Sequence, residues 1–380
     1  MIPPYLFVKI EEKKEELVKK GVDVIDFGIG DPDLKTPSHI VKKLHQAIDS
    51  KESANYPTSK GELVFRSAVS KWYKNRFNVE IDPAAEVCSL IGSKEGLSHI
   101  ILAFVDQGDI TLVPDPAYPV YKIGTLLAGG QPYFLPLKPE NKFLPDLSLI
   151  PSDVLKKAKM LFINYPNNPT GAVADKSFFE KCVKLCREND ILLVSDLAYS
   201  EMAYDGFRPS SIFEVPGAKD VAIEFHSLSK TFNVTGWRIG MAVGNKEAVS
   251  ALATIKSNID SGAYKAIQFA AAEALTASQN CVAENNKIFE ERRNILYDGL
   301  SSLGFKFEKP KATFYMWVPA PKAETSASFA EKLLEQAGIL TVPGSGYGSF
   351  GEGFVRFAIT IPKKRISEAI KRLTDIKISF

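Results

Sequence analysis

No uninterrupted apolar run in this sequence approaches the about eighteen residues that a membrane-crossing helix requires. The amino terminus offers only Tyr5-Leu6-Phe7-Val8 before charged residues begin, so the expectation is a soluble, cytoplasmic protein without a secretory signal. Blocks of like charge are missing too. Lys and Arg total 47 against 45 Asp and Glu, a formal net charge of +2, and the densest stretch, 11–20, mixes both signs as a solvated helix face does. Nothing in that balance favours a nucleic-acid partner. Cysteine is scarce: of the four, Cys182 and Cys186 would share a helix face, while Cys88 and Cys281 stand apart. That spacing fits packing by reduced thiols, not a metal centre. The four histidines, His39, His45, His99 and His226, are scattered, so no metal is expected from them either.

What is present is enough apolar material for a large core. With 380 residues, 45% of them hydrophobic, the chain is most simply two domains. Residues 1–20 read as an extended arm followed by a charged helix, and 24–27 as a short strand ending in Gly28-Ile29-Gly30-Asp31-Pro32. An amphipathic helix follows Pro37 to about residue 48, and 55–61 is a loop by its Pro, Gly and Ser content. From 87 to 243 a unit recurs: a short apolar run, a polar turn, then often a helix. Parallel strands covered on both faces by crossover helices produce that alternation. The expected fold class is therefore α/β, with a large domain of mostly parallel sheet and crossover helices at 46–281. A smaller α+β domain would be built from both termini, 1–45 and 282–380. Within it, strands are expected at 305–308, 313–318, 339–342 and 354–360, and helices at 282–303, 326–337 and up to about 374.

Five polar turns at the ends of apolar runs hold the chemistry. Run 87–91 leads to Gly92-Ser93-Lys94-Glu95-Gly96 at a helix start, where free backbone N–H groups hold anions. Run 110–113 leads to Asp115-Pro116-Ala117-Tyr118, run 159–163 to Asn164-Tyr165-Pro166-Asn167-Asn168-Pro169-Thr170-Gly171, and run 191–195 to Asp196-Leu197-Ala198-Tyr199. Run 221–225 leads to Ser227-Leu228-Ser229-Lys230, with Arg238 eight residues beyond the lysine. Taken singly, each is also an ordinary turn: a capped helix, a core tyrosine, an Asn-Pro turn, an Asp cap. Taken together they offer an anion site, a flat ring, an amide, a carboxylate and an amine at the edge where open α/β sheets bind ligands.

That set fits pyridoxal 5'-phosphate. Lys230 would form the Schiff base, and Asp196 would keep the pyridine nitrogen protonated. Asn168 and Tyr199 would hydrogen-bond the phenolic oxygen, and Tyr118 would lie against the ring. Ser93, Ser227, Ser229 and Arg238 would hold the phosphate. The run 227–240, with Asn-Pro-Thr-Gly at 168–171 and Asp-x-x-Tyr at 196–199, resembles the signature of class I/II aminotransferases. These are the fold-type I pyridoxal phosphate enzymes related to aspartate aminotransferase, and the resemblance extends from about Gly28 to Arg356. It implies a homodimer with shared sites, in which Tyr56 reaches the partner's cofactor phosphate, and transfer of an amino group from an L-amino acid to a 2-oxo acid such as 2-oxoglutarate. It also implies that Lys230, once freed, moves the proton at the substrate's Cα.

Arg356 lies inside the apolar run Phe354-Val355-Arg356-Phe357-Ala358-Ile359. A guanidinium there pairs with a carboxylate of the protein or awaits one from a ligand; the resemblance implies the substrate α-carboxylate. Gly30 and Asn168 are the other expected substrate contacts, and the glycines of Gly344-Ser345-Gly346-Tyr347-Gly348 read as a mobile turn nearby. No arginine occurs between Arg238 and Arg292, where the aspartate type takes the distal carboxylate. Lys94 occupies the place of a lysine that does so in another aspartate subgroup, and is a candidate for both cofactor and substrate. The runs 91–100, 115–121 and 256–262 are most similar to bacterial and archaeal LL-diaminopimelate aminotransferases. The plant-type enzymes of that activity carry a glutamate three residues after the loop tyrosine, where this chain has Ser59. An aspartate or broad-specificity aminotransferase, and a carbon–sulfur lyase on the same fold, remain as alternatives.

Overall fold

The computed structural model describes residues 6–376, with side chains from residue 12. The start of the expected extended arm, residues 1–5, lies outside the described residues, and the chain is already helical at Leu6–Lys19. Strand β1, Ile25–Asp26, comes next. The large sheet is built from β2 (Val87–Leu90), β3 (Ile110–Asp115), β4 (Gln131–Pro136), β5 (Ala158–Ile163), β6 (Leu192–Asp196), β7 (Ala222–Ser227) and β8 (Gly240–Gly244). Their order is β2-β8-β7-β6-β5-β3-β4. Strand β8 alone runs antiparallel to its neighbours, and the other pairings are parallel. The short return through residues 228–239 accounts for the reversal, since antiparallel neighbours need no crossover helix. The carboxyl ends of β2, β3, β5, β6 and β7 therefore open on one edge. Strands β2 and β7 are buried at every residue, as expected of strands covered on both faces.

Strand β4 is absent from the expected pattern. It holds Pro132 and Pro136 and lies at the sheet's edge, where a residue without an N–H is tolerated because one side of the strand has no ladder to feed.

The smaller unit pairs β1 with β10 (Ile339–Leu340) and assembles β9 (Tyr315–Pro319), β11 (Val342–Pro343) and β12 (Phe354–Ala358) in the order β11-β12-β9. The single strand expected at 339–342 is thus two, because the chain changes sheets at Thr341. The strand expected at 305–308 does not form. Phe305 is buried and Lys306 and Glu308 point outward as alternation demands, but among the described residues cross-chain pairing begins only at Lys311 and Thr313, against Met202 and Tyr204. Ile25 and Phe27 pack into the core of this unit, with Phe289, Leu333 and Phe357. Ile40 and Val282 belong to the core of the large sheet. The chain thus changes cores between Phe27 and Ile40, and returns along the helix Asn280–Ser302 between Val282 and Phe289. Tyr199, Met202 and Tyr204, just past β6, also pack into the small core, so the edge carrying the polar turns faces the seam between the two.

The glycine-rich loop at that seam is anchored, contrary to the mobile turn expected. Asp115, at the end of β3, accepts from the backbone N–H groups of Ser349 and Phe350 and from the Ser349 hydroxyl. A side chain at Gly348, which has φ +147°, would collide with that carboxylate.

Candidate active site

A cavity of about 180 Å³ opens at the seam. Gly30, Ser93, Tyr118, Asn168, Asp196 and Tyr199 line it, together with Ser227, Lys230 and Arg356. All nine are residues to which type and position in the sequence already point. Asn164, Ala198 and Tyr315 line it as well.

Lys230 sits on the short helix Leu228–Thr231, whose start is capped by the Ser227 hydroxyl accepting from Ser229 N–H at 3.2 Å. Its ammonium donates to the Gly30 carbonyl at 2.8 Å and lies 5.7 Å from the Phe314 ring centre. Burial, helped by the positive charges of Arg238 and Arg356 and opposed by Asp31, pulls its pKa down from 10.5 to about 8. The neutral fraction near neutral pH is therefore far larger than for an ordinary lysine, which favours a nucleophilic or basic amine.

Asp196 closes β6. Its Oδ2 accepts from the Tyr121 hydroxyl at 2.7 Å, while Oδ1 is buried without a hydrogen-bond partner. Burial pushes its pKa from 3.8 up to about 6, against the pull of the Tyr121 bond, the Ala198 N–H and His226. Asn164 ties two strand ends together: its Nδ2 donates to the Asp196 carbonyl at 2.7 Å, and its Oδ1 accepts from Asn168 N–H at 2.8 Å. Asn168 Oδ1 in turn accepts from Arg356 Nη1 at 3.0 Å, which fixes the amide's orientation and leaves Nδ2 as its donor. The Tyr199 hydroxyl lies 3.2 Å from that of Tyr315. Burial first, and Tyr315 next, hold the Tyr199 pKa well above 10, so it keeps its proton.

Arg356 is fully buried in β12. Its Nη2 donates to the Gly28 carbonyl at 2.7 Å, and its guanidinium lies 4.1 Å from the Tyr315 ring centre and 5.0 Å from that of Tyr347.

The anion end is built at the start of the helix Ser93–Phe104. Gly92 precedes it at φ +80°, and a Cβ there would lie 2.2 Å from Arg238 Nη2, so only glycine lets the guanidinium approach. Arg238 donates to the carbonyls of Thr235 at 2.9 Å and Ile91 at 3.3 Å. The Ser229 hydroxyl is buried without a partner. Behind the turn, Glu95 accepts from Ile91 N–H at 2.9 Å and pairs at 3.0 Å with Lys256, which also meets Asp260 at 3.1 Å. Glu95, His99 and Asp260 lie within 4.8 Å of one another, and the two carboxylates among them pair with the Lys256 ammonium.

A family model described as aminotransferase class I and II matches residues 22–373. The chain belongs to that family. It is 56% identical, over its whole length and 98% of the relative's, to a protein of Moorella thermoacetica named LL-diaminopimelate aminotransferase. Among solved structures it is similar to substrate-bound BacF from Bacillus subtilis, with a TM-score of 0.94 and 37% identity, covering 99% of this chain and 95% of that one. It is also similar to a mutant aspartate aminotransferase of Thermus thermophilus, with a TM-score of 0.92 and 31% identity, covering 99% and 97%.

Four candidate residues of this aminotransferase stand outside the cavity lining: Ser229 and Arg238, which belong to the anion end just described, and Lys94 and Tyr56. Lys94 is exposed on the first turn of its helix, and Tyr56 is 87% exposed on its loop. Sequence reasoning misses Tyr121, Asn164 and Tyr315. Tyr315 belongs to an apolar strand and reads like any core aromatic, whereas Asn164 stands directly after a strand, the same signal that marks Asp196.

Asp196 gives the cofactor-free enzyme a definite pH response. Because its folded-state pKa is raised, its charge is no burden below about pH 4, becomes destabilising as pH rises towards 6, and stays so above. The penalty reaches about 3 kcal/mol. Asp196→Asn is expected to remove it. Denaturant melts of the two cofactor-free proteins should converge near pH 4 and separate, with the variant more stable, by pH 7.

Proposed function

We propose that this aminotransferase carries pyridoxal 5'-phosphate on Lys230 and transfers the amino group of LL-2,6-diaminopimelate to 2-oxoglutarate. The observation that carries the cofactor reading is the bare, buried Oδ1 of Asp196, in the same cavity as a lysine of depressed pKa. A protonated ring nitrogen would supply the hydrogen and the countercharge which that oxygen is missing. When bound, the cofactor supplies the electron sink for the substrate's Cα.

The chain's own groups divide the remaining work. Asn168 Nδ2 and the protonated Tyr199 hydroxyl would hold the ring oxygen as hydrogen-bond donors, and Tyr118 would pack against the ring. Ser93, Ser227, the unpartnered Ser229 hydroxyl, Arg238 and the helix N–H groups at Ser93 would hold the phosphate. Lys230, with its amine in the neutral form, would be the base that takes the proton from the substrate's Cα. Arg356 takes the α-carboxylate with its planar fork.

The donor assignment is supported by the relative from Moorella thermoacetica. A survey of amino donors with 2-oxoglutarate tests it: LL-diaminopimelate should exceed aspartate by about a hundredfold in kcat/KM. Parity would favour an aspartate or broad-specificity enzyme, in line with the likeness to the Thermus thermophilus structure and with Lys94 as a carboxylate ligand. Ammonia and pyruvate released from cystathionine without any 2-oxo acid would favour a lyase.

The working unit is proposed to be a homodimer. The Tyr56 loop packs beside the 256–262 segment, since a Cβ at Gly262 would touch the Thr58 carbonyl at 3.0 Å. Tyr56, Leu63, Val64, Ile259 and Tyr264 around it are all exposed, the apolar surface that an association face needs. Mixing the inactive variants Tyr56→Ala and Lys230→Ala is expected to restore about a quarter of wild-type activity. Half the dimers of a two-fold assembly would then be mixed, each with one intact site. No recovery after subunit exchange rejects the shared site.

A further inference from the structure

We propose that Tyr315 is a positioning residue that serves both halves of the reaction, its ring seating the guanidinium of Arg356 and its hydroxyl orienting that of Tyr199. Both links rest on the cofactor oxygen lying at Tyr199 and the substrate carboxylate at Arg356, as proposed above.

Three observations converge on it. The Arg356 guanidinium stands 4.1 Å from the Tyr315 ring centre, nearer than to the Tyr347 ring at 5.0 Å. A cation over a phenol face, shielded from water, is held there by the ring's quadrupole, and this leaves the guanidinium's hydrogens pointing edgewise. Nη1 and Nη2 meet Asn168 and Gly28, so the ring and two acceptors together fix the plane in which a carboxylate must arrive. At the other end of the same side chain, the Tyr315 hydroxyl lies 3.2 Å from that of Tyr199, and both residues are buried. The space it occupies exists only because residue 30 is glycine: a Cβ there would lie 2.1 Å from the Tyr315 oxygen.

The proton count then sets the direction of the tyrosine pair. Each hydroxyl has one hydrogen. Tyr199 spends its own on the ring oxygen, so the hydrogen between the two tyrosines comes from Tyr315, and Tyr199 accepts. A hydroxyl that accepts a hydrogen bond donates a stronger one, because the chain polarises. Tyr315 therefore strengthens the hold of Tyr199 on the ring oxygen and lowers the proton affinity of the neighbouring Lys230 linkage. No substituent without both a flat face and a terminal hydroxyl does both jobs at this position.

Two substitutions separate them. Tyr315→Phe keeps the face and removes the hydroxyl. In a spectrophotometric pH titration of the holoenzyme, the pKa of its Lys230-linked chromophore should rise by roughly half to one unit. Affinity for a 2-methyl amino acid, which has the α-carboxylate but no Cα hydrogen, should stay within about twofold. Tyr315→Leu removes the face, and affinity for the same ligand should fall on the order of tenfold. A Tyr315→Phe chromophore that titrates as in wild type overturns the proposal, as does a Tyr315→Leu enzyme that binds the ligand equally tightly. The Phe variant preserves the packing and decides the matter should the Leu variant not fold. A wild-type protein with no Lys230-linked chromophore would instead overturn the cofactor assignment itself.

Discussion

Lys230→Ala is expected to slow the conversion of bound amino acid by about a hundred- to ten-thousand-fold, the range that a positioned proton-transfer group supplies. The structure gives the loss two parts. One is the base itself, an amine whose pKa is held near 8 by burial and is therefore matched to neutral pH. The other is its placement, with the ammonium bonded at 2.8 Å to the carbonyl of Gly30, which lines the same cavity. An added amine such as methylamine should restore some of the first part and none of the second. Single-turnover rates with saturating donor measure the loss. Borohydride reduction of the wild type followed by peptide mapping should place the cofactor on Lys230, and attachment at another lysine would reject the assignment.

Arg356→Lys is expected to raise KM by tens of fold or more for every amino donor, because all share the α-carboxylate. Breaking a buried, hydrogen-bonded charge pair costs roughly 2–5 kcal/mol, and an ammonium keeps the charge while losing the fork. The effect should fall on KM more than on kcat, since no bond to this residue is made only in the transition state. The substitution also removes the donors to Asn168 and Gly28, so Asn168 loses the bond that orients its amide. Steady-state kinetics with an acidic, a basic and a neutral donor are the check. A change confined to one donor would move Arg356 from the α-carboxylate to the distal group.

The ligand edge of the fold is legible in the sequence because apolar runs stop where strands stop, and the residue after each stop must face something other than core. Asp196, Asn168, Ser227 and Lys230 all declare themselves this way. Elements whose pairing depends on remote partners do not. β4 reads as broken by Pro132 and Pro136 until its edge position is known. The 305–308 segment has the alternation of a strand but, among the described residues, no ladder alongside it. Lys256 lies within the helix Lys246–Ile259 and is fully buried between Glu95 and Asp260. Local pattern cannot reveal a charge whose partner stands 161 positions away. Tyr315 shows the same limit, since its function lies in what sits above its ring and at its tip.

The bond between the Gly28 carbonyl and Arg356 spans 328 positions, and that distance has a consequence for how the enzyme is made. On a ribosome adding about 5–20 residues each second, the segment that carries Gly28 and Gly30 leaves the exit tunnel early and must wait for most of translation before its partner strand is synthesised. The central sheet can form meanwhile, but the pocket cannot close around a substrate until the last part of the chain has emerged. A nascent chain stalled before β12 would thus present a nearly complete cofactor platform without the ability to hold an amino acid on it.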